Sequence, residues 1–85
     1  MVDSSSYVAW ARLITELDDA QEHLKSLINE MTAKGALEEA ELQSSLGHIY
    51  AHLNRAWNSR NNTFEITENQ WREFSQFPTN IDPVG

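Results

Sequence analysis

Along the first third of the chain, Trp10, Leu17, Leu24 and Met31 recur at every seventh residue. Leu13, Ala20 and Leu27 each follow three residues after one of the first three, and Ile14 and Ile28 widen the stripe. Apolar positions spaced this way lie on one side of a helix and form a seam suited to lengthwise packing on another helix. The pattern predicts a helix over about 6–34. Ser4, Ser5 and Ser6 offer N-caps, and Gly35 follows the last periodic residue as a left-handed stop.

A second stripe, Leu42, Leu46, Ile49, Leu53 and Ala56, predicts a helix over about 36–60. Glu38, Glu39 and Glu41 stand at its start and Arg55 and Arg60 at its end, the arrangement a helix dipole favours. The few residues around Gly35 leave room only for a tight turn, so the two helices should be antiparallel neighbours. Asn58, Ser59, Asn61 and Asn62 then end the second helix, because their side chains compete for backbone hydrogen bonds. A third, short helix is expected over about 67–77. Thr67 and Gln70 have the spacing of a capping box, and Ile66 and Trp71 that of a hydrophobic staple. Trp71, Phe74 and Phe77 give it an apolar face, Pro78 ends it, and 78–85 reads as an extended tail.

The expected architecture is thus all-α: one domain over 1–85, a long antiparallel helical hairpin with a short C-terminal helix. Two helices do not cover two long stripes, and Tyr50 and Trp57 add apolar surface beside the second. The third helix covers part of it. The rest predicts pairing with a second copy into a four-helix-bundle-like homodimer.

Composition narrows the functional classes. Eighty-five residues carry a formal charge of −7 and no cysteine. A domain this small often needs a metal or a partner subunit, and disulfides are excluded. The lack of cysteine and of a secretory leader pattern suits a cytoplasmic protein. The acidic balance disfavours nucleic acid and anionic lipid, and no apolar run is long enough to cross a membrane.

Against that acidity, no carboxylate lies between Glu41 and Glu65, where His48, Tyr50, His52, Arg55, Trp57 and Arg60 gather. His48 and His52, four apart on a helix, have a metal-binding spacing. Antiparallel pairing brings Glu16 and Asp19 to about their height, so Glu16, Asp19, His48 and His52 are candidate ligands of a divalent metal in a bundle core. The plainer reading leaves both histidines half-exposed and paired with those carboxylates, and His23 separate on the surface. Tyr50, Arg55, Trp57 and Arg60 are candidates for contact with a protein partner. The plainer reading has the arginines close the helix end and pair with nearby acids.

The segment "ELQSSLGH", Glu41–His48, faintly resembles the second acidic motif of MazG-type helical nucleotide pyrophosphatases, which reads roughly Glu-Leu-Gly-Asp. Leu46 and Gly47 match, while His48 and Ser45 stand where that family has metal-binding Asp and Glu. The resemblance implies a degenerate metal-dependent hydrolase using Glu16, Asp19 and His48. No glycine-rich phosphate loop, cysteine nucleophile or triad spacing accompanies it. The sequence therefore points first to a non-catalytic helical interaction or adaptor protein, without a cofactor, that binds itself and another, unidentified protein. An acidic inhibitor that imitates nucleic acid is the second expectation, since residues 1–41 hold nine acidic and three basic side chains.

Overall fold

The first apolar repeat forms an unbroken helix, α1, Tyr7–Lys34, in the computed structural model, which describes residues 2–85. Ser6 caps its start, with the hydroxyl accepting from the Ala9 amide at 3.4 Å. Gly35 ends it at φ 69° and donates its N–H to the Met31 carbonyl at 2.9 Å. A Cβ in that left-handed conformation would clash with the backbone, which is why glycine stands there.

Helix α2, Glu39–Asn58, begins three residues later than its stripe suggests. Ala36, Leu37 and Glu38 are not helical, and Leu37 packs against the core. Burying Leu37 uses the residues that would otherwise have made the first turn. At the far end the Ser59 amide and hydroxyl both donate to the Arg55 carbonyl. Helix α3, Glu68–Phe74, starts with the full capping box: Thr67 Oγ1 accepts from the Gln70 amide at 3.2 Å, and Gln70 Oε1 accepts from the Thr67 amide at 2.9 Å. It stops short of Phe77 because Ser75 turns its hydroxyl back onto the Trp71 carbonyl and side chains of α2 take the carbonyls at its end. Among the described residues there is no strand, so the chain is all-helical, as its periodicity predicts.

Cross-helix pairs establish the antiparallel register. Arg12 meets Ser59, Glu16 meets Arg55 and His52, and His23 stacks on His48. The apolar core sits toward the turn: Ala20, Leu27 and Ile49 are buried, with Leu37, Leu42 and Leu46 against them. Away from the turn the interior is polar, holding Glu16, His52, Asn54, Arg55 and Ser59 alongside Ala9 and Ala56.

Helix α2 covers only one edge of the broad apolar arc of α1. Ala20 and Leu27 pack with Ile49 of α2 and Ala9 is buried, while Trp10, Ile14, Leu17, Leu24, Ile28 and Met31 remain 36–54% exposed. The radius of gyration, 14.6 Å, exceeds the roughly 12 Å of a spherical domain this long. The elongated hairpin has more surface than its own core can use.

Candidate functional site

Three consecutive turns of α2 supply the site. His48, His52 and Arg55 are three or four residues apart and project toward α1, because Ile49 and Ala56 on the same side anchor the helix against it. Across the interface α1 presents His23, Asp19, Glu16 and Arg12, again three or four apart. The juncture is a ladder of polar pairs inside the hairpin.

Its centre is a buried ion pair. Arg55 Nε donates to Glu16 Oε2 at 2.6 Å, with the two residues 4% and 5% exposed. Arg55 Nη1 donates to Ser75 Oγ at 2.9 Å, and the guanidinium lies 3.8 Å from the Trp71 ring centroid. The charge thus has a carboxylate, a hydroxyl and an aromatic face, which together replace the water it has lost. Arg12 plays a parallel role one turn away. It donates to Ser59 Oγ at 3.2 Å, to the Phe64 carbonyl at 2.8 Å and to the Asn62 carbonyl, binding the loop after α2 to α1.

Beside this pair stand three imidazoles. The ring centroids of His23 and His48 are 4.2 Å apart, those of His48 and His52 4.9 Å, and those of His23 and His52 5.3 Å. One nitrogen from each lies within 4.8 Å of those from the others. His52 is buried and His48 exposed, so the cluster runs from the interior to the surface. Glu16, Asp19 and His52 form a second close group within the same 4.8 Å limit. Partial loss of water around the ring, then His23, His52 and Arg55 nearby, hold the His48 imidazole below its ordinary pKa, against a smaller opposing pull from Asp19. At neutral pH it is the neutral base, with a free lone pair.

The bonds around His52 do not close. Its Nδ1 is 3.3 Å from Glu16 Oε1 and 3.1 Å from Arg55 Nη2. The guanidinium only donates and the carboxylate only accepts, so one Nδ1 satisfies one of them at a time. Its Nε2 is buried and has no partner among the described residues. Buried nitrogens without partners are rare and costly.

The residues expected from sequence are therefore distributed differently than their spacing suggests. Glu16, Asp19 and His52 do come together, but Arg55 holds the Glu16 carboxylate, neutralising the charge a Mg²⁺ site would draw on. His48 joins through His23, which lies at the surface as expected but stacks on His48 rather than standing separate. His52 is not half-exposed: it lies in the interior because the antiparallel register turns it onto Glu16. Once Glu16 stands opposite Arg55, seven further residues along α1 bring His23 opposite His48. That register was the available signal. Arg12, the lone cation in the first half of α1, belongs to no motif that marks it in the sequence.

Among the expected partner-contact residues, Arg55 is interior, held by Glu16 and Trp71. Arg60 stacks 3.7 Å above the Trp57 ring, and Trp57 Nε1 donates to Asn80 Oδ1 at 2.9 Å. Tyr50 packs edge-on against Phe77 and stays exposed. The asparagines also work internally. Asn54 Nδ2 donates to the Ser75 carbonyl, and Asn58 Nδ2 to those of Phe74 and Gln76, each at 2.9 Å. They satisfy the open end of α3. Much of the polar crowding between His48 and Asn62 thus holds α3 and the segment after it against α2. Among the described residues, no helix is long and apolar enough to cross a membrane. No protein-family model matches this chain, and comparison with curated proteins and with solved structures found none similar to it.

Proposed function

We propose that this chain is a non-catalytic helical interaction protein that associates with a second copy of itself through the exposed seam of α1, completing a four-helix bundle. The observation that carries the reading is the exposure of Trp10, Ile14, Leu17, Leu24, Ile28 and Met31 after the rest of the chain has packed. With about half of each side chain open, the stripe offers on the order of 500 Å² of apolar surface, near the upper range for a monomer's largest patch. A standard interface buries about 800 Å² per partner, of which roughly 65% is apolar in homodimers. The seam matches that requirement in area, and its heptad spacing matches a helix of the same length in a second copy.

The seam continues into a groove of about 300 Å³ lined by Leu13, Leu17, Leu53, Ala56, Trp57 and Arg60, with Val2 at one end. This groove gives a facing helix somewhere to seat its own Leu and Trp side chains. The acidic outer surface then remains free for another, unidentified protein, and a cysteine-free chain suits work in the reducing cytoplasm.

Sedimentation velocity at tens of micromolar tests the reading. The unmodified chain should sediment as a dimer, and Leu17→Glu with Leu24→Glu should give a monomer of unchanged helix content. An unmodified chain that remains monomeric overturns it.

A further inference from the structure

We propose that His23, His48 and His52 form a zinc-binding site within one hairpin, with Glu16 orienting His52 from behind. Three observations meet at this point. The first is convergence: three imidazoles from two helices place one nitrogen each within 4.8 Å of the others. The second is the buried, unpartnered His52 Nε2. The third is the carboxylate of Glu16 at 3.3 Å from the opposite nitrogen, Nδ1.

Together they decide which of its two neighbours His52 Nδ1 bonds, in favour of Glu16. In the absence of a cation, Nδ1 has both a donor and an acceptor beside it and Nε2 has nothing. Zinc on Nε2 takes that lone pair and fixes the proton on Nδ1, from which it donates to Glu16. Metal-bound imidazoles usually donate their second N–H to a carboxylate or carbonyl in this way, which fixes the ring and strengthens the ligand. Arg55 then keeps its own bond to Glu16 Oε2, so the charge pair and the metal share one carboxylate without competing for an oxygen.

Neutral imidazole nitrogens suit Zn²⁺ better than Mg²⁺ or Ca²⁺, which prefer oxygen. Tetrahedral zinc with Zn–N distances of about 2.0–2.1 Å needs ligand nitrogens roughly 3.3 Å apart. Side-chain rotation must close up to about 1.5 Å of nitrogen spacing and turn the His52 ring, nearly parallel to the other two, toward one ion, and exposed His48 is free to rotate. A small cleft of 120 Å³ opens at His23 and His48, between Ser26, Leu27, Glu30 and Ser45, and gives the ion a way in. Three protein ligands leave the fourth position to water. The site lies within a single chain and does not depend on self-association.

The test is calorimetric titration of the full chain, stripped with chelator, with Zn²⁺ alone, followed by long-range ¹H–¹⁵N spectra of the imidazoles. One ion per chain with micromolar or tighter Kd is expected, with His52 held as the Nδ1–H tautomer in the bound form. His48→Ala, at an exposed position, and His23→Ala should each weaken binding at least a hundredfold while leaving the helical circular dichroism intact. Glu16→Gln, where it folds, should weaken binding ten- to a hundredfold. No binding by the unmodified chain at 100 μM Zn²⁺, or binding that survives His48→Ala, overturns the proposal. So does a bound form in which the His52 proton stays on Nε2.

Discussion

Where the hairpin is covered by α3 and the segment that follows it, the two long helices bury Glu16, His52, Arg55 and Ser59. Away from that cover, α1 leaves Trp10, Leu17, Leu24 and Ile28 at the surface. The polar residues are inside and many of the apolar ones are outside. Burial in this chain follows which side chains complete each other, not hydropathy alone. Glu16 and Arg55 come out of water because each supplies the other's charge, and Trp71 closes over the pair. The seam of α1 has no comparable partner among the described residues, and it stays exposed.

The sharpest way to break this comparison is to remove one side of the buried pair. Glu16→Ala leaves the Arg55 guanidinium interior and unpaired, and should lower stability by about 3–5 kcal/mol. In a domain whose whole stability is of order 5–15 kcal/mol, urea denaturation will show this plainly. Glu16→Leu combined with Arg55→Met should recover most of the loss, because an apolar pair of similar volume needs no charge compensation. If Glu16→Ala is nearly silent, the polar interior does not hold the hairpin together.

Leu24 and Leu27 sharpen the contrast within one helix. Leu27 is buried at 6% exposure and Leu24 is exposed at 44%. Leu27→Ala should cost about 2–3 kcal/mol through the cavity it leaves. Leu24→Ala, measured at concentrations low enough to keep the chain monomeric, should change stability by under about 0.5 kcal/mol. At high concentration Leu24→Ala should weaken association instead, read as a shift of the sedimentation boundary toward monomer. Equal costs at the two positions in dilute solution would mean that α1 buries its seam within the single chain.

Trp71→Ala uncovers Arg55 and should cost about 1–2 kcal/mol, with faster amide exchange across α3. Gly35→Ala meets no neighbouring atom, yet should cost about 1–2 kcal/mol because the left-handed backbone at φ 69° disfavours a Cβ. The smallest effect is that of pH on the metal-free chain. The folded protein holds the His48 pKa below its ordinary 6.5, so the unfolded chain binds that proton more readily. This contribution is fully present above pH 6.5. It falls as pH drops below that value and levels off once the folded-state pKa is passed. Since His48 is exposed, the loss is small, and His48→Asn should remove it from the pH profile measured in chelator.

The sequence by itself determined the helices and their turn. A heptad seam, Ser6 before it and Gly35 after it specify α1 through local sterics and hydrogen bonding. Thr67 and Gln70 do the same for the start of α3. A connection only a few residues long leaves no choice but antiparallel packing. Tertiary structure decided which edge of the α1 arc meets α2, and so why Leu17 is outside while Glu16 is in. It also drew His23, distant in sequence, onto His48, and gave Asn54 and Asn58 the carbonyls at the end of α3. Periodicity fixes a helix face only to within a broad arc. The rotation within that arc depends on side chains far apart in the chain, here a carboxylate and a guanidinium that must find each other once both have left water.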